Sequence, residues 1–244
     1  MPECAVEKVS GLCRSAPSKR FRAYAGADLN NPGGIAKFDV WSCKNRNMKT
    51  EWEKMQDGEI YNDFDRDLFN RRVEAKKLFR AYNLSADDEV EKRNGIMRRL
   101  FRSVGENVWI EPDFRCEFGK NITIGNDVYI NFGCVILDCG QITIGDNTLI
   151  GPNVGLFSGN HTVDAEERAA GGLIPKPITI GKRVWLCGNV TVVPGVTIGD
   201  DTVIGAGSVV TRDIPSGVVA AGNPCRVLRR LTPSDKVGYM PEDH

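Results

Sequence analysis

The sequence predicts a mainly β protein, a solenoid of short stacked strands behind a helical N-terminal segment, and three observations predict it. From Gly105 onward bulky aliphatic residues recur every six positions. Small residues, often glycine, follow the leading aliphatics. Before Gly105 the apolar residues are spaced instead by threes and fours. A unit of six fits neither the 3.6-residue turn of an α-helix nor the two-residue alternation of a hairpin.

Residues 1–46 show no sustained period and contain the turn-forming run Asn30, Asn31, Pro32, Gly33, Gly34, so an extension of unassigned order is expected there. Its Arg14, Lys19, Arg20 and Arg22 follow Glu3 and Glu7 without an amphipathic repeat, and read as a solvated basic tail rather than a transit peptide. Residues 47–104 form the helical segment. Leu68, Val73, Ala75, Leu78, Phe79 and Tyr82 mark one apolar stripe, and Val90, Ile96, Met97, Leu100 and Phe101 mark a second. Ser85, followed by Ala86, Asp87 and Asp88, reads as the N-cap that opens the second helix.

The solenoid is expected over residues 105–231. Its leading aliphatics are Ile124, Ile130 and Ile136; Ile144, Ile150 and Leu156; then Ile180, Leu186, Val192, Ile198, Ile204 and Val210. The fifth position of each unit also stays small or apolar, as at Val128, Cys134, Thr148, Val154, Val184 and Val190. Stacking such units places each aliphatic above its predecessor in one apolar column. An antiparallel sandwich with frequent turns is the competing architecture; twelve aliphatics in one register, with one phase slip near Asp138 to Ile144 and one insertion, favour the solenoid. The insertion spans 157–179, where Gly159, Asn160, Gly171, Gly172, Pro175 and Pro177 call for a loop. Residues 232–244 are a C-terminal tail.

Composition narrows the function. Thirty-two Lys and Arg balance 32 Asp and Glu in the 244 residues, which gives no general affinity for nucleic acid or anionic membrane. No apolar run reaches the roughly 18 residues of a membrane span, and the N-terminus lacks a secretory h-region, so a cytoplasmic location is expected. The eight cysteines include no CxxC pair and are expected as reduced thiols. Only His161 and His244 are available as imidazoles, which excludes a three-histidine zinc site within one chain; no metal is expected.

Several blocks outside the repeat carry a resemblance: MKTEWEKMQDGEIYN, VGENVWIEPDFRCEFGKNITIG, NFGCVILDC, GNHTVDAEER, ITIGKRVWLCGNV and IPSGVVAAGNPCRVLRRL. In these, residues 48–231 resemble the maltose and galactoside O-acetyltransferase branch of the hexapeptide-repeat acyltransferases. The resemblance implies a left-handed parallel β-helix, acetyl-CoA as donor, a sugar hydroxyl as acceptor, and a homotrimer with active sites between subunits. It assigns nothing to residues 1–46.

His161 lies in the insertion, and Asn160, Asp164 and Arg168 reproduce the block around the family's catalytic histidine, which implies His161 as general base. Neutral imidazole, with an unperturbed pKa of roughly 6.5, is suited to take a proton from a hydroxyl as it attacks a thioester. Direct attack needs no acyl-enzyme, so Cys139 and Cys187 are expected to pack rather than react. The resemblance places acceptor contacts at Asp63, Glu117 and Asn131, with Arg72 supporting the helical side. It places the oxyanion donor at Gly188 and the CoA groove along Trp185, Ala206 and Thr211, with Arg212, Arg226 and Arg229 toward the phosphates. The chain departs from the pattern at Glu117, where relatives have shorter side chains, and at Cys139, where a galactoside-acting relative has an acid; the acceptor's identity stays open. The rival readings are an N-acetyltransferase of the same fold for an amino sugar or xenobiotic, and a non-catalytic binding solenoid.

Overall fold

The computed structural model describes residues 48–239. The expected extension 1–46, Asn47 and the last five residues of the tail, His244 among them, lie outside the described residues, as do Cys4, Cys13 and Cys43.

Three helices come first. Helix α1 (Glu51–Gln56) opens with a reciprocal cap between Thr50 and Glu53. Helix α2 (Arg66–Asn83) is capped by Asp65, whose carboxylate accepts from the backbone N–H of Asp67 and Leu68. Helix α3 (Val90–Leu100) follows. Leu68, Ala75, Phe79 and Tyr82 on α2 are buried, as are Ile96, Met97 and Leu100 on α3, so both apolar stripes face inward as their spacing requires. Ser85 behaves differently from expectation. Its hydroxyl donates back to the Tyr82 carbonyl at 2.5 Å and so ends α2, while α3 has Glu89 at its N-cap with no side-chain capping bond. A serine two residues past a helix competes for the last carbonyls as readily as for the next helix's amides.

The rest is a parallel β-solenoid with three sheets. Face I stacks Ser103–Val104, Ile122–Ile124, Ile142–Ile144, Ile178–Ile180 and Thr197–Ile198. Face II stacks Trp109–Ile110, Tyr129–Ile130, Leu149–Ile150, Trp185–Leu186, Val203–Ile204 and Val218–Ala221, with Arg226–Arg230 closing it antiparallel. Face III stacks Arg115–Cys116, Val135–Leu137, Gly155–Phe157, Thr191–Val192 and Val209–Val210. The columns are in register: Ile124, Ile144, Ile180 and Ile198 on face I; Ile130, Ile150, Leu186 and Ile204 on face II; Ile136, Leu156, Val192 and Val210 on face III. All twelve are at most 2% exposed, and together they form the continuous apolar core. At roughly 1.5–3 kcal/mol for each fully buried aliphatic side chain, these columns are the main source of cohesion between coils.

The corners explain the small residues. The glycine after each face I aliphatic is required by close approach. A Cβ on Gly125 would lie 2.4 Å from Asp146 Oδ1, and one on Gly181 2.4 Å from Asp200 Oδ1, because each of those carboxylates reaches back to cap the coil before it. The next corner residue adopts positive φ at Asn107, Asp127, Asn147, Arg183 and Asp201, the conformation that Asn and Asp tolerate best. Helices α2 and α3 close the first coil: Tyr82 Oη and Arg93 Nη2 both donate to the Ile110 carbonyl at 2.7 Å, and Arg93 is sandwiched between the Tyr82 and Trp109 rings.

Candidate active site

Three of the four residues expected on the acceptor side, Asp63, Arg72 and Glu117, converge at the corner between faces III and I, and Asn131 does not join them. Because Asp65 takes the capping role, Asp63 is left to Arg72, which lies in the second turn of α2 and points toward it. Arg72 Nη2 donates to Asp63 Oδ1, Nη1 donates to the Asp63 carbonyl at 3.0 Å, and Nε donates to Glu117 Oε1. The guanidinium also packs 5.0 Å from the Phe118 ring centroid. Two carboxylates therefore flank one cation, each with a second oxygen that accepts no hydrogen bond among the described residues.

The insertion is more ordered than a loop. It leaves the solenoid as the strand Gly159–His161, turns through helix α4 (Ala165–Ala169) and returns as Gly172–Pro175. These two strands pair antiparallel, and Tyr61–Asn62 pairs on the far side of Gly172–Pro175, which puts His161, Leu173 and Tyr61 directly in line. The Asp63 N–H then donates to the Gly171 carbonyl at 2.8 Å. This small sheet binds the His161 excursion to the segment that carries Asp63. His161 is exposed. Asp164 caps α4 through the N–H of Glu166 and Glu167, and Arg168 Nη1 donates to the carbonyls of Thr162 and Val163. Both shape the excursion around the histidine.

The floor beneath is thiol and phenol. Tyr61, Cys139, Leu173, Phe118, Leu68 and Met55 form a second buried cluster. Burial pushes the Cys139 thiol up to about 12, and burial likewise raises Cys187, so neither is a ready thiolate. The Tyr61 hydroxyl has no hydrogen-bond partner among the described residues.

The remaining expected residues lie elsewhere in the chain. Asn131 and Gly188 sit at the corner between faces II and III, two coils apart, with Gly188 in the column of Phe132 and Pro152. In that column Phe132 N–H donates to Asn131 Oδ1 at 2.8 Å and Pro152 has no N–H, whereas the Gly188 N–H meets no protein acceptor among the described residues. Ala206 follows above Gly188. Trp185 projects outward from face II, half exposed. Thr211 and Arg212 are exposed at the upper III/I corner. Arg226 is exposed on the closing strand, while Arg229 is held by Asp235 through two bonds of 2.9 and 2.7 Å. One chain thus holds Asp63, Arg72, Glu117 and His161 at one edge of the prism and Asn131, Gly188 and Trp185 beyond another.

A cavity of about 730 Å³ lies between α3 and the first coil, lined by Arg93, Met97 and Trp109 and away from His161. His161 sits on an open surface. Residues 54–105 match the maltose acetyltransferase hexapeptide capping motif, residues 177–212 the bacterial transferase hexapeptide and residues 141–159 the hexapeptide repeat of succinyl-transferase. Galactoside O-acetyltransferase of Escherichia coli K12 is 46% identical over 188 residues, covering 77% of this chain and 93% of that protein. The chain belongs to the hexapeptide-repeat acetyltransferases. The crystal structure of a maltose O-acetyltransferase from Clostridium difficile 630 superposes with a TM-score of 0.74 at 46% identity, covering 76% of this chain and all of that one. A galactoside acetyltransferase in complex with coenzyme A superposes with a TM-score of 0.74 at 45% identity, covering 80% and 98%. As a member of the acetyltransferase family, this chain is an acyltransferase.

Proposed function

We propose that this acetyltransferase moves the acetyl group of acetyl-CoA to a sugar hydroxyl, with His161 as general base. The observation that carries the reading is the joining of Asp63, Arg72 and Glu117 beside the strand that bears His161. Carboxylate oxygens held by one guanidinium suit an acceptor that presents several hydroxyls.

His161 removes the proton from the attacking hydroxyl as the hydroxyl oxygen bonds to the thioester carbonyl carbon. The carbonyl oxygen becomes an oxyanion that accepts from the Gly188 N–H. Collapse breaks the carbon–sulfur bond, and the departing CoA sulfur takes the proton from the imidazolium.

His161 and Gly188 come from different subunits of a homotrimer in this reading. Its support is the contrast between outer faces. Face I turns outward a hydroxyl column of Ser103, Thr123, Thr143, Thr179 and Thr197. Face II turns outward Trp109, Tyr129, Leu149, Trp185 and Val203, an apolar column fit for a subunit contact. Trp185 at the edge of such a contact flanks the pantetheine arm, with Ala206 and Thr211 along the groove and Arg212 and Arg226 toward the phosphates; Arg229 joins them once released from Asp235. The protein works in the cytoplasm, where acetyl-CoA is available.

The test is thiol release from acetyl-CoA with a panel of glucosides, galactosides, maltose, free hexoses and amino sugars, comparing the native chain with His161→Ala. Loss of turnover by about 10²- to 10⁴-fold is expected for a general base. Equal turnover in the variant removes His161 from the mechanism, and turnover confined to amines replaces the hydroxyl acceptor.

A further inference from the structure

We propose that Asp138 is a positioning residue, one that fixes the acceptor-side carboxylate Glu117 relative to the strand carrying His161. The inference builds on the function proposed above.

The III/I corner is enlarged in three successive coils. The step from Cys116 to Ile124 and the step from Ile136 to Ile144 are each eight residues, where Val192 to Ile198 is six. The third enlargement is the His161 excursion. Asp138 occupies the middle corner and is fully buried. Its side chain turns toward the coil below: Oδ1 accepts from the Glu117 N–H at 3.0 Å and the Phe118 N–H at 2.8 Å, and Oδ2 accepts from the Asn121 N–H at 3.2 Å. The Asp138 carbonyl accepts from Asn121 Nδ2 at 2.8 Å, and Asn121 Oδ1 accepts from Gln56 Nε2 at 2.7 Å, which ties α1 to the same turn.

The same corner is gripped from above. Ser158 is fully buried; its N–H donates to the Leu137 carbonyl at 3.0 Å and its hydroxyl accepts from the Gly140 N–H at 2.8 Å. The next residue, Gly159, begins the strand that ends at His161, and a Cβ there would lie 2.7 Å from Cys139 Cβ. A continuous set of bonds therefore runs from Glu117 through Asp138, Gly140 and Ser158 to the root of the His161 strand. Asp138 is sealed from solvent and cannot touch an acceptor, so it acts through Glu117. A buried carboxylate is a costly way to satisfy a turn, and here its two oxygens hold three donors at once.

The experiment uses the full chain and compares Asp138→Asn, Asp138→Ala and Ser158→Ala, measuring acceptor KM, acetyl-CoA KM and kcat separately. Asp138→Asn keeps the shape but sets an N–H₂ against one of the three donors; an acceptor KM about tenfold higher with acetyl-CoA KM within about twofold is expected. Asp138→Ala raises it further. In a Glu117→Ala background the Asp138→Asn change adds nothing to acceptor KM, which a general loss of stability would not reproduce. An unchanged acceptor KM, an equal rise in acetyl-CoA KM, or an effect undiminished in the Glu117→Ala background overturns the proposal. If Asp138→Ala does not fold, the isosteric variant decides. A native chain inactive toward every acceptor refutes the functional reading itself, whereas an active native chain with an indifferent Asp138→Asn refutes the positioning role alone.

Discussion

Replacing Arg72 with methionine tests the acceptor corner directly. The guanidinium is 12% exposed, and its partners Asp63 and Glu117 are 22% and 25% exposed, so all three are largely withdrawn from water. Hydrogen bonds to charged groups contribute about 1.5–3 kcal/mol each, and two carboxylates lose one. Partial rehydration of the freed carboxylates offsets some of that loss, and methionine retains much of the contact with Phe118. The two acids, deprived of the cation between them, also repel. A net loss of about 3 kcal/mol follows, near the lower end for breaking a buried pair. For a folded unit of this size it lowers Tm by about 6–12 °C. Urea unfolding at fixed protein concentration reads the change as a lower midpoint at constant slope, and acceptor KM is measured alongside. Adding Glu117→Gln to Arg72→Met should restore part of the stability by removing the repulsion. A loss below about 0.5 kcal/mol would show a solvated surface pair and refute the reasoning.

Gly181→Ala should destabilise by about 1–3 kcal/mol, because its Cβ meets Asp200 Oδ1 at 2.4 Å, whereas Gly95→Ala in α3 meets nothing within 4 Å and should stabilise by about 0.5–1 kcal/mol; thermal unfolding of the pair checks both. Cys187→Ala should keep kcat within about twofold, and a loss of a hundredfold in the thiol-release assay would require an acyl-enzyme. Burial raises the Asp138 carboxyl from the ordinary range to about 7, with Cys116, Cys139 and Glu117 as its titratable neighbours. Between roughly pH 4 and 7 the folded state then binds more protons than the unfolded one, so the contribution to stability falls as pH rises through that window and levels off above it. Urea midpoints across pH should show that slope in the native chain and a flatter one in Asp138→Asn.

The columns were legible because a side chain must be apolar wherever three faces point inward, and period alone locates such positions. The site was legible only through resemblance: nothing local distinguishes Asp63 from Asp65, yet one holds Arg72 and the other caps α2. Ser85 misled because its two possible partners lie at equal reach in sequence. The strand pairing of the excursion was hidden, since Gly172–Pro175 finds its second partner in Tyr61–Asn62, more than a hundred residues away. The first enlargement of the III/I corner escaped notice because its lower aliphatic position is Cys116. The pairing of Arg229 with Asp235 was not legible, because the short turn that brings them together follows the closing strand without any repeat to mark it.

The excursion at residues 158–177 leaves the register untouched: Ile144 still lies under Ile180, although 36 residues separate them where 18 separate Ile180 from Ile198. A corner of this solenoid is thus a graft point, where chain can be added or exchanged without disturbing the columns above and below. Selection can act on one such segment while the stacked core stays constant. A chimaera that exchanges only 158–177 between relatives should therefore fold, and should keep the acceptor preference of the host that supplies Asp63, Arg72 and Glu117.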